Sequence, residues 1–372
     1  MAAVSYKCPN CGGELRFDPV SQKYKCEYCL SYFDDVPEEE AKRQEEYTGA
    51  GEGTDSGSDR GAEMGRESGD AAETGGGDGA AGGEAVVYTC PSCGAEIVTD
   101  ATTAATFCYY CHNPVVLEGR LSGEYLPDRV IPFKLDKKKA TEAFLSFVKK
   151  KKFVPGAFFN ERQIEKLTGV YYPYWICDTK GNGELQGTAT RVRVWQAGDM
   201  EYTETKTYLV KRAGAMELKE LPKNALKKAD RQLCEGVWPY DLGSSVPFEM
   251  GYLSGFQAEK RDLDRADLEE EVQADVQEYG KRLMRESVNS YDTFHVEKTQ
   301  IQTEDQKWNY MLLPVWVLTY RDKAGKQYYY AMNGQNGEFG GVLPIDRGKL
   351  AALFFGVAIP VLIACLLGGY FL

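Results

Sequence analysis

Eight of the chain's eleven cysteines fall in four C-x2-C pairs: Cys8/Cys11, Cys26/Cys29, Cys90/Cys93 and Cys108/Cys111. A C-x2-C turn presents two thiolates to one ion, and two such turns joined by a hairpin complete a tetrahedron about 2.3 Å from zinc. Fourteen residues separate the two pairs of each set, and every cysteine of the first set maps onto the second with an offset of 82. Pro9 and Pro91 stiffen the opening turns, while Gly12 and Gly94 supply the open backbone that follows them. Four protein ligands leave no position for water or substrate, so the pattern predicts two structural Zn2+ sites. Iron takes the same four-thiolate geometry, and spacing leaves it open. A redox dithiol would not need a second pair at a fixed distance, and would not need it twice. The odd total and the clustering fit a reducing compartment; Cys177, Cys234 and Cys365 are scattered. His112, beside Cys111, is not needed as a ligand and reads as a surface or supporting residue.

Other chemistry finds no constellation. The sequence has two histidines, His112 and His295, and no G-x4-G-K-[S/T] loop, H-E-x-x-H motif, nucleophile elbow or Gly-rich dinucleotide loop. His295 alternates with Phe294 and Val296 in a strand pattern and reads as a structural histidine. The expectation is a protein that is not an enzyme, with no catalytic residues and no small-molecule substrate. Nucleic-acid binding needs clustered Lys and Arg to neutralise phosphates. Residues 85–119 carry none, against Glu96, Asp100 and Glu118; Lys7, Arg16, Lys23 and Lys25 in the first set are balanced by Glu14, Asp18 and Glu27.

These cysteines divide the 372 residues into five segments. Residues 1–33 and 86–118 are an internal repeat, two small cysteine units. Between them, residues 34–85 form an acidic Gly-rich linker with sixteen acidic residues against four basic ones, the whole formal charge of −12. Its composition buries too little apolar surface to offset chain entropy, so it reads as a flexible tether with the first unit as a mobile head. Residues 119–346 read as a mixed α+β domain. Asp136 caps a helix with Ala140, Phe144, Phe147 and Val148 on its apolar face, and Asn160 caps a short one ending at Gly169. Residues 264–289 form the clearest helix, with Leu268, Val272, Val276, Tyr279, Leu283 and Val288 as its stripe. Strands are predicted over 188–195, 201–210, 291–301, 310–320 and 326–332. Tyr172-Pro173-Tyr174-Trp175 leads to a turn at Gly181 and Gly183, and Leu313-Pro314-Val315-Trp316 to one at 322–325, a weak internal duplication. Two lysine groups, Lys137–Lys139 and Lys149–Lys152, flank the first helix.

Residues 350–372 contain no charged side chain. At ~1.5 Å per residue such a run crosses a ~30 Å hydrocarbon layer, which predicts a transmembrane helix. Arg347 and Lys349 on its N-terminal flank place the domains in the cytoplasm by the positive-inside rule, as a single-pass protein of the cell membrane. No signal peptide is expected, since the first thirty residues hold four cysteines and no apolar run.

The Cys-Pro-x-Cys-Gly openings and Cys-x-Tyr-Cys closures resemble zinc ribbons of transcription factor IIB type. The whole layout resembles bacterial zinc ribbon-containing membrane proteins. In these a ribbon precedes patterns like Val130-Ile131-Pro132-Phe133-Lys134, Val170-Tyr171-Tyr172-Pro173-Tyr174-Trp175, Tyr252-Leu253-Ser254-Gly255-Phe256 and Leu313-Pro314-Val315-Trp316, over most of residues 86–342. Such ribbons are also similar to those of primosomal helicase and RNA polymerase subunits, which implies a nucleic-acid-associated alternative in replication or transcription, without helicase activity. The charge pattern favours a membrane-anchored zinc-binding adaptor or scaffold for an unknown protein partner.

Overall fold

The computed structural model describes residues 3–36, 86–117, 119–155, 167–229, 231–321, 327–341 and 345–370. Nearly all of the linker, most of the short helix expected from Asn160 and the turn at 322–325 lie outside them. Thr168 and Gly169, expected at the end of that helix, instead begin a strand.

The first cysteine unit contributes β1 (Ala3–Val4), β2 (Leu15–Asp18), β3 (Lys23–Cys26) and β4 (Tyr32–Phe33). β2, β3 and β4 make an antiparallel sheet of their own. The second unit repeats the plan with β5 (Val86–Thr89), β6 (Glu96–Thr99), β7 (Thr103–Phe107) and β8 (Pro114–Leu117). It is built into the body, because β7 pairs with β13 (Gln257–Glu259) through Ala105 and Ala258. β1 crosses over to close its other edge, with Val4 opposite Val116.

The body is an α+β arrangement around one large sheet. Among the described residues that sheet has eleven strands, running β1-β8-β7-β13-β10-β14-β15-β16 with three others attached. β9 (Arg129–Val130) pairs with β12 (Val246–Pro247) and lies parallel to β14 (Thr293–Arg321); β15 is Gln327–Asn333 and β16 Phe339–Gly341. Three strands are far longer than predicted: β10 covers Thr168–Ala197, β11 Met200–Asn224, and β14 joins the two strands expected over 291–301 and 310–320. Together they make a three-stranded arm whose outer end is a β10–β11 hairpin, with Arg191–Ala197 opposite Met200–Lys206.

The predicted turn at Gly181 and Gly183 does not exist; β10 runs straight through both, and the chain reverses at Gly198 (φ +64°). Glycine in a strand also marks a bulge or a close approach, and that is its use here. Register shifts between Lys180 and Gly181, where a Cβ on Gly181 would lie 2.2 Å from the Gln302 carbonyl oxygen. A Cβ on Gly183 would meet Met284 Sδ at 2.7 Å.

Helix α1 spans Lys137–Lys149, and the Asp136 carboxylate caps it by accepting from the Lys139 N–H at 2.7 Å. A short helix α2 (Arg231–Gly236) follows β11. α3 spans Arg265–Glu286 and opens on a capping box between Asp264 and Asp267. Its buried stripe is Leu268, Val272, Val276, Gly280 and Met284. Leu283, expected inside, is 43% exposed. Strict steps of four carry the stripe toward Gly280, whose bare Cα lets Met216 and Ile301 approach. A Cβ there would sit 2.8 Å from Met216 Cε.

The four aromatic patterns named above converge in one core. Phe133 stacks on Phe256 with ring centroids 4.1 Å apart and meets Tyr171 and Trp316 edge-on at 5.0 and 5.2 Å. Trp175 and Trp316 each anchor their indole N–H on a backbone carbonyl, Leu263 at 3.0 Å and Leu135 at 3.1 Å. The two Pro-x-Trp strands lie side by side, antiparallel, with Tyr172 opposite Leu313. Finally, α4 (Arg347–Tyr370) is a single apolar helix of 24 residues, about 36 Å long, and its segment Arg347–Leu366 is not buried against the rest of the protein.

Candidate metal centres

Each cysteine pair sits in the same turn. The N–H four residues after the first cysteine bonds back to that cysteine's carbonyl: Gly12 to Cys8 at 2.8 Å, Leu30 to Cys26 at 3.0 Å, Gly94 to Cys90 and His112 to Cys108 at 2.9 Å. A second bond closes each loop, from the N–H of Cys8, Cys26, Cys90 and Cys108 to the carbonyls of Gly13, Ser31, Ala95 and Asn113. The residue after the second cysteine is left-handed in all four turns, at φ +71°, +61°, +75° and +58° for Gly12, Leu30, Gly94 and His112. Glycine fills that position in the opening turns, and Leu30 and His112 fill it at some conformational cost in the closing ones. His112 therefore holds a backbone position; its side chain is exposed. His295 lies in β14, as its alternating pattern implied, with its side chain exposed.

The hairpins bring the turns face to face. Cys8 Sγ lies 3.6 Å from Cys29 Sγ and Cys11 Sγ 3.5 Å from Cys26 Sγ. In the second unit Cys90–Cys111 and Cys93–Cys108 are both 3.7 Å apart. All four sulfurs of each unit lie within 4.8 Å of one another. A tetrahedron with ~2.3 Å metal–sulfur bonds has edges of about 3.8 Å, whereas a disulfide needs about 2.05 Å. The eight cysteines therefore form two four-sulfur groups that fit metal ions. In each, one sulfur pair is buried (Cys8 and Cys26; Cys90 and Cys108) and the other lies nearer solvent.

The thiol acidities make the same point. Hydrogen bonds from the Ser31 side chain and backbone hold Cys29 down to about 6. Across the cluster, a Gly13 backbone bond favours the Cys11 thiolate, yet burial and the neighbouring sulfurs push it up to about 12. In the second unit burial and its sulfur neighbours raise Cys111 to about 12. Packing four sulfurs this closely prevents all four from ionising unless a cation sits among them.

Both centres are tied to the body. Unit 1 was expected to stand apart on its tether; instead it docks on the segment Gly251–Phe256. The Phe17 N–H donates to the Ser254 carbonyl at 3.0 Å, and the Ser254 hydroxyl donates to the Leu15 carbonyl at 2.6 Å. Phe17 meets Tyr252 edge-on at 5.1 Å, and Tyr24, 3% exposed, packs over bare Gly251. The Gln22 amide donates to the Phe133 carbonyl at 2.8 Å, linking the β2–β3 turn to the aromatic core. Linker composition says nothing about whether the unit before it docks; the signal was in Phe17 and Tyr24. Unit 2 is tied as well through its Asp100, which pairs at 3.1 Å with Lys228 of the body, itself paired with Glu259 at 3.0 Å. Ser92 in unit 2 donates to Glu14 in unit 1 at 2.7 Å, so the units also touch each other. On the solvent side their closing turns expose Tyr28, Tyr109 and Tyr110.

No model of a known protein family and no solved structure matches the chain. A protein of Bacillus subtilis (strain 168), the uncharacterized protein YdjG, is 30% identical over 355 residues, spanning 95% of this chain and 94% of that one. At that identity and coverage the two share more than isolated motifs, and this chain belongs to the same family as YdjG.

Proposed function

We propose that the protein is a membrane-anchored zinc protein that serves as a cytoplasmic-facing scaffold for a protein partner. Its two cysteine units are zinc ribbons of a structural kind. Each group has four protein sulfurs and keeps no open position, and the inner cysteines lie in the packed core, Cys26 and Cys108 with no exposure. The metal therefore holds the fold together and leaves recognition to other surfaces. α4 spans the membrane, with Arg347 and Lys349 on the cytoplasmic side.

The observation that carries the scaffold reading is the arm. Among the described residues, Met200–Leu218 of β11 pairs only with β10, and Thr293–Asn309 of β14 does likewise. Both edges are thus open along most of the arm, a ready template for strand addition. Beyond Thr190 the hairpin is only two strands wide and presents Val194, Trp195, Met200 and Tyr202 to solvent, with Trp195 stacked on Tyr202 at 5.6 Å. Exposed aromatics on a rigid hairpin are typical anchors for a partner.

The test is photocrosslinking in intact membranes, with a crosslinker placed at Leu209, which is exposed and lies outside the hairpin tip. A discrete protein adduct that disappears when 191–206 is replaced by a short turn supports the reading. Lipid adducts alone, or none, would sink it, and steeply salt-dependent DNA or RNA binding would favour a nucleic-acid role. The anchor is checked separately: deleting 347–372 should move the protein from the carbonate-resistant membrane fraction into solution.

A further inference from the structure

The lysines that end α1 meet the apolar helix at its first turn. The Asp346 N–H donates to the Phe153 carbonyl at 2.7 Å, and Lys349 Nζ donates to the Val154 carbonyl at 2.9 Å. Phe153 and Val154 directly follow Lys149–Lys152, all four of which are exposed. Arg347 and Lys349 add two more exposed cations from α4 itself. The acid among them, Asp346, is engaged as a helix cap, accepting from the Gly348 N–H at 3.0 Å and the Lys349 N–H at 3.2 Å. Among the described residues no ion pair satisfies Lys149, Lys150, Lys151 or Lys152. The N-terminus of α4 contributes further positive potential at the same place.

We propose that this ring of cations is a collar for anionic phospholipid headgroups, seated on the membrane surface that α4 enters. The proposal rests on reading α4 as a membrane span. Two backbone-directed hydrogen bonds pin the end of α1 to the root of that helix, so the lysines cannot stand far from the headgroup layer. Their long stems let the ammonium groups reach phosphate while the apolar carbons lie along the interface. Each cation near an anionic leaflet gains about five-fold in local affinity, and the gain falls off within a Debye length. The sequence pattern treated the two lysine groups of α1 alike; the structure separates them by assigning only the C-terminal group to the root of α4.

Amine acylation of the full-length protein in nanodiscs tests this, comparing phosphatidylcholine alone with a mixture containing phosphatidylglycerol. Lys206 and Lys211 serve as the reference. They lie beside Arg191 and Gln186, roughly 60–75 Å of strand away from the Thr168 end of the sheet, where Tyr330 packs on Phe147 of α1, whose following segment holds the root of α4. Lys149–Lys152 should be modified about five-fold more slowly in the anionic discs, the reference lysines equally in both, and ~1 M salt should erase the difference. Equal modification in both lipids, in discs that carry the protein, overturns the collar and leaves the membrane span intact. Failure to enter discs of either lipid overturns the span, and the collar with it. As a second arm, the K149Q/K150Q/K151Q/K152Q variant should retain fewer phosphatidylglycerol molecules after detergent extraction; retention equal to the unaltered protein overturns the collar.

Discussion

The docking of the first cysteine unit turns on one contact, between Tyr24 and Gly251. A Cβ added at Gly251 would stand 2.4 Å from the Tyr24 hydroxyl oxygen and 2.8 Å from two ring carbons. No rotamer of a 3%-exposed tyrosine packed against Phe17 and Tyr252 relieves such overlap, so Gly251→Ala should cost about 1–3 kcal/mol. Tyr24→Ala removes a buried ring and should cost roughly 3–5 kcal/mol. The Tyr24 hydroxyl is buried without a hydrogen-bond partner, so Tyr24→Phe should be neutral or slightly stabilising. In the Tyr24→Ala background the Gly251→Ala penalty should vanish, a coupling of about 1–3 kcal/mol. Hydrogen exchange of Leu15–Asp18 and Lys23–Cys26 in the metal-loaded protein reads this locally. Gly251→Ala should speed exchange there by about 5- to 150-fold, with two metals still bound. Unchanged exchange in Gly251→Ala, or strictly additive effects in the double variant, would refute the docked arrangement.

The cysteine pattern made both four-sulfur groups legible residue by residue, because metal geometry fixes ligand type and spacing together. The apolar run at the C-terminus and the helix capped by Asp136 were equally plain, since both signals are local, and the helix over 264–289 was legible from its apolar stripe, though its capping box at Asp264 was not. The long strands were not legible. Gly181, Gly183 and Gly187 look like turn residues in isolation, and only their neighbours show why they are glycine: two backbone carbonyls, a methionine and a phenylalanine ring at distances no Cβ tolerates. The helix stripe misplaced Leu283 for a related reason, because Gly280 does not register as apolar although it is the closest point of packing.

The aromatic patterns were legible as patterns and silent about their role. Phe133, Tyr171, Phe256 and Trp316 are core, and the neighbouring Tyr252-Leu253-Ser254-Gly255 stretch is the seat of the first unit. Seating that unit explains its residue types. Ser254 trades hydrogen bonds with β2 in both directions, and Gly255 at φ +93° accepts the stem of Arg16. No periodicity rule separates such a seat from an ordinary loop, because the partner surface lies some 240 residues away in the chain.

Two further outcomes rest on the same kinds of contact. Gly181→Ala drives a Cβ into the Gln302 carbonyl at a bulge and should lower stability by about 3 kcal/mol or more, read as a lower unfolding midpoint with the metals retained. The metal ligands should differ between units. The purified protein should hold two metal ions, and Cys26→Ser or Cys108→Ser should each leave one. A structural zinc is worth roughly 10–16 kcal/mol in isolated fingers, comparable to the whole stability of a domain, so either loss unfolds the unit that suffers it. The effect on the body depends on how that unit is attached. Unit 1 lends the main sheet only the two-residue β1, its other three strands forming a separate sheet that docks through the Phe17–Ser254 bond and side chains, so Cys26→Ser should leave a folded body. Unit 2 lends β7 and β8 to the main sheet through backbone pairs with β13 and β1, so its loss also strips a neighbour from β13. Cys108→Ser should therefore lower the body's unfolding midpoint well below that of Cys26→Ser. Equal midpoints, or the reverse order, would mean that the second unit is not part of the main sheet.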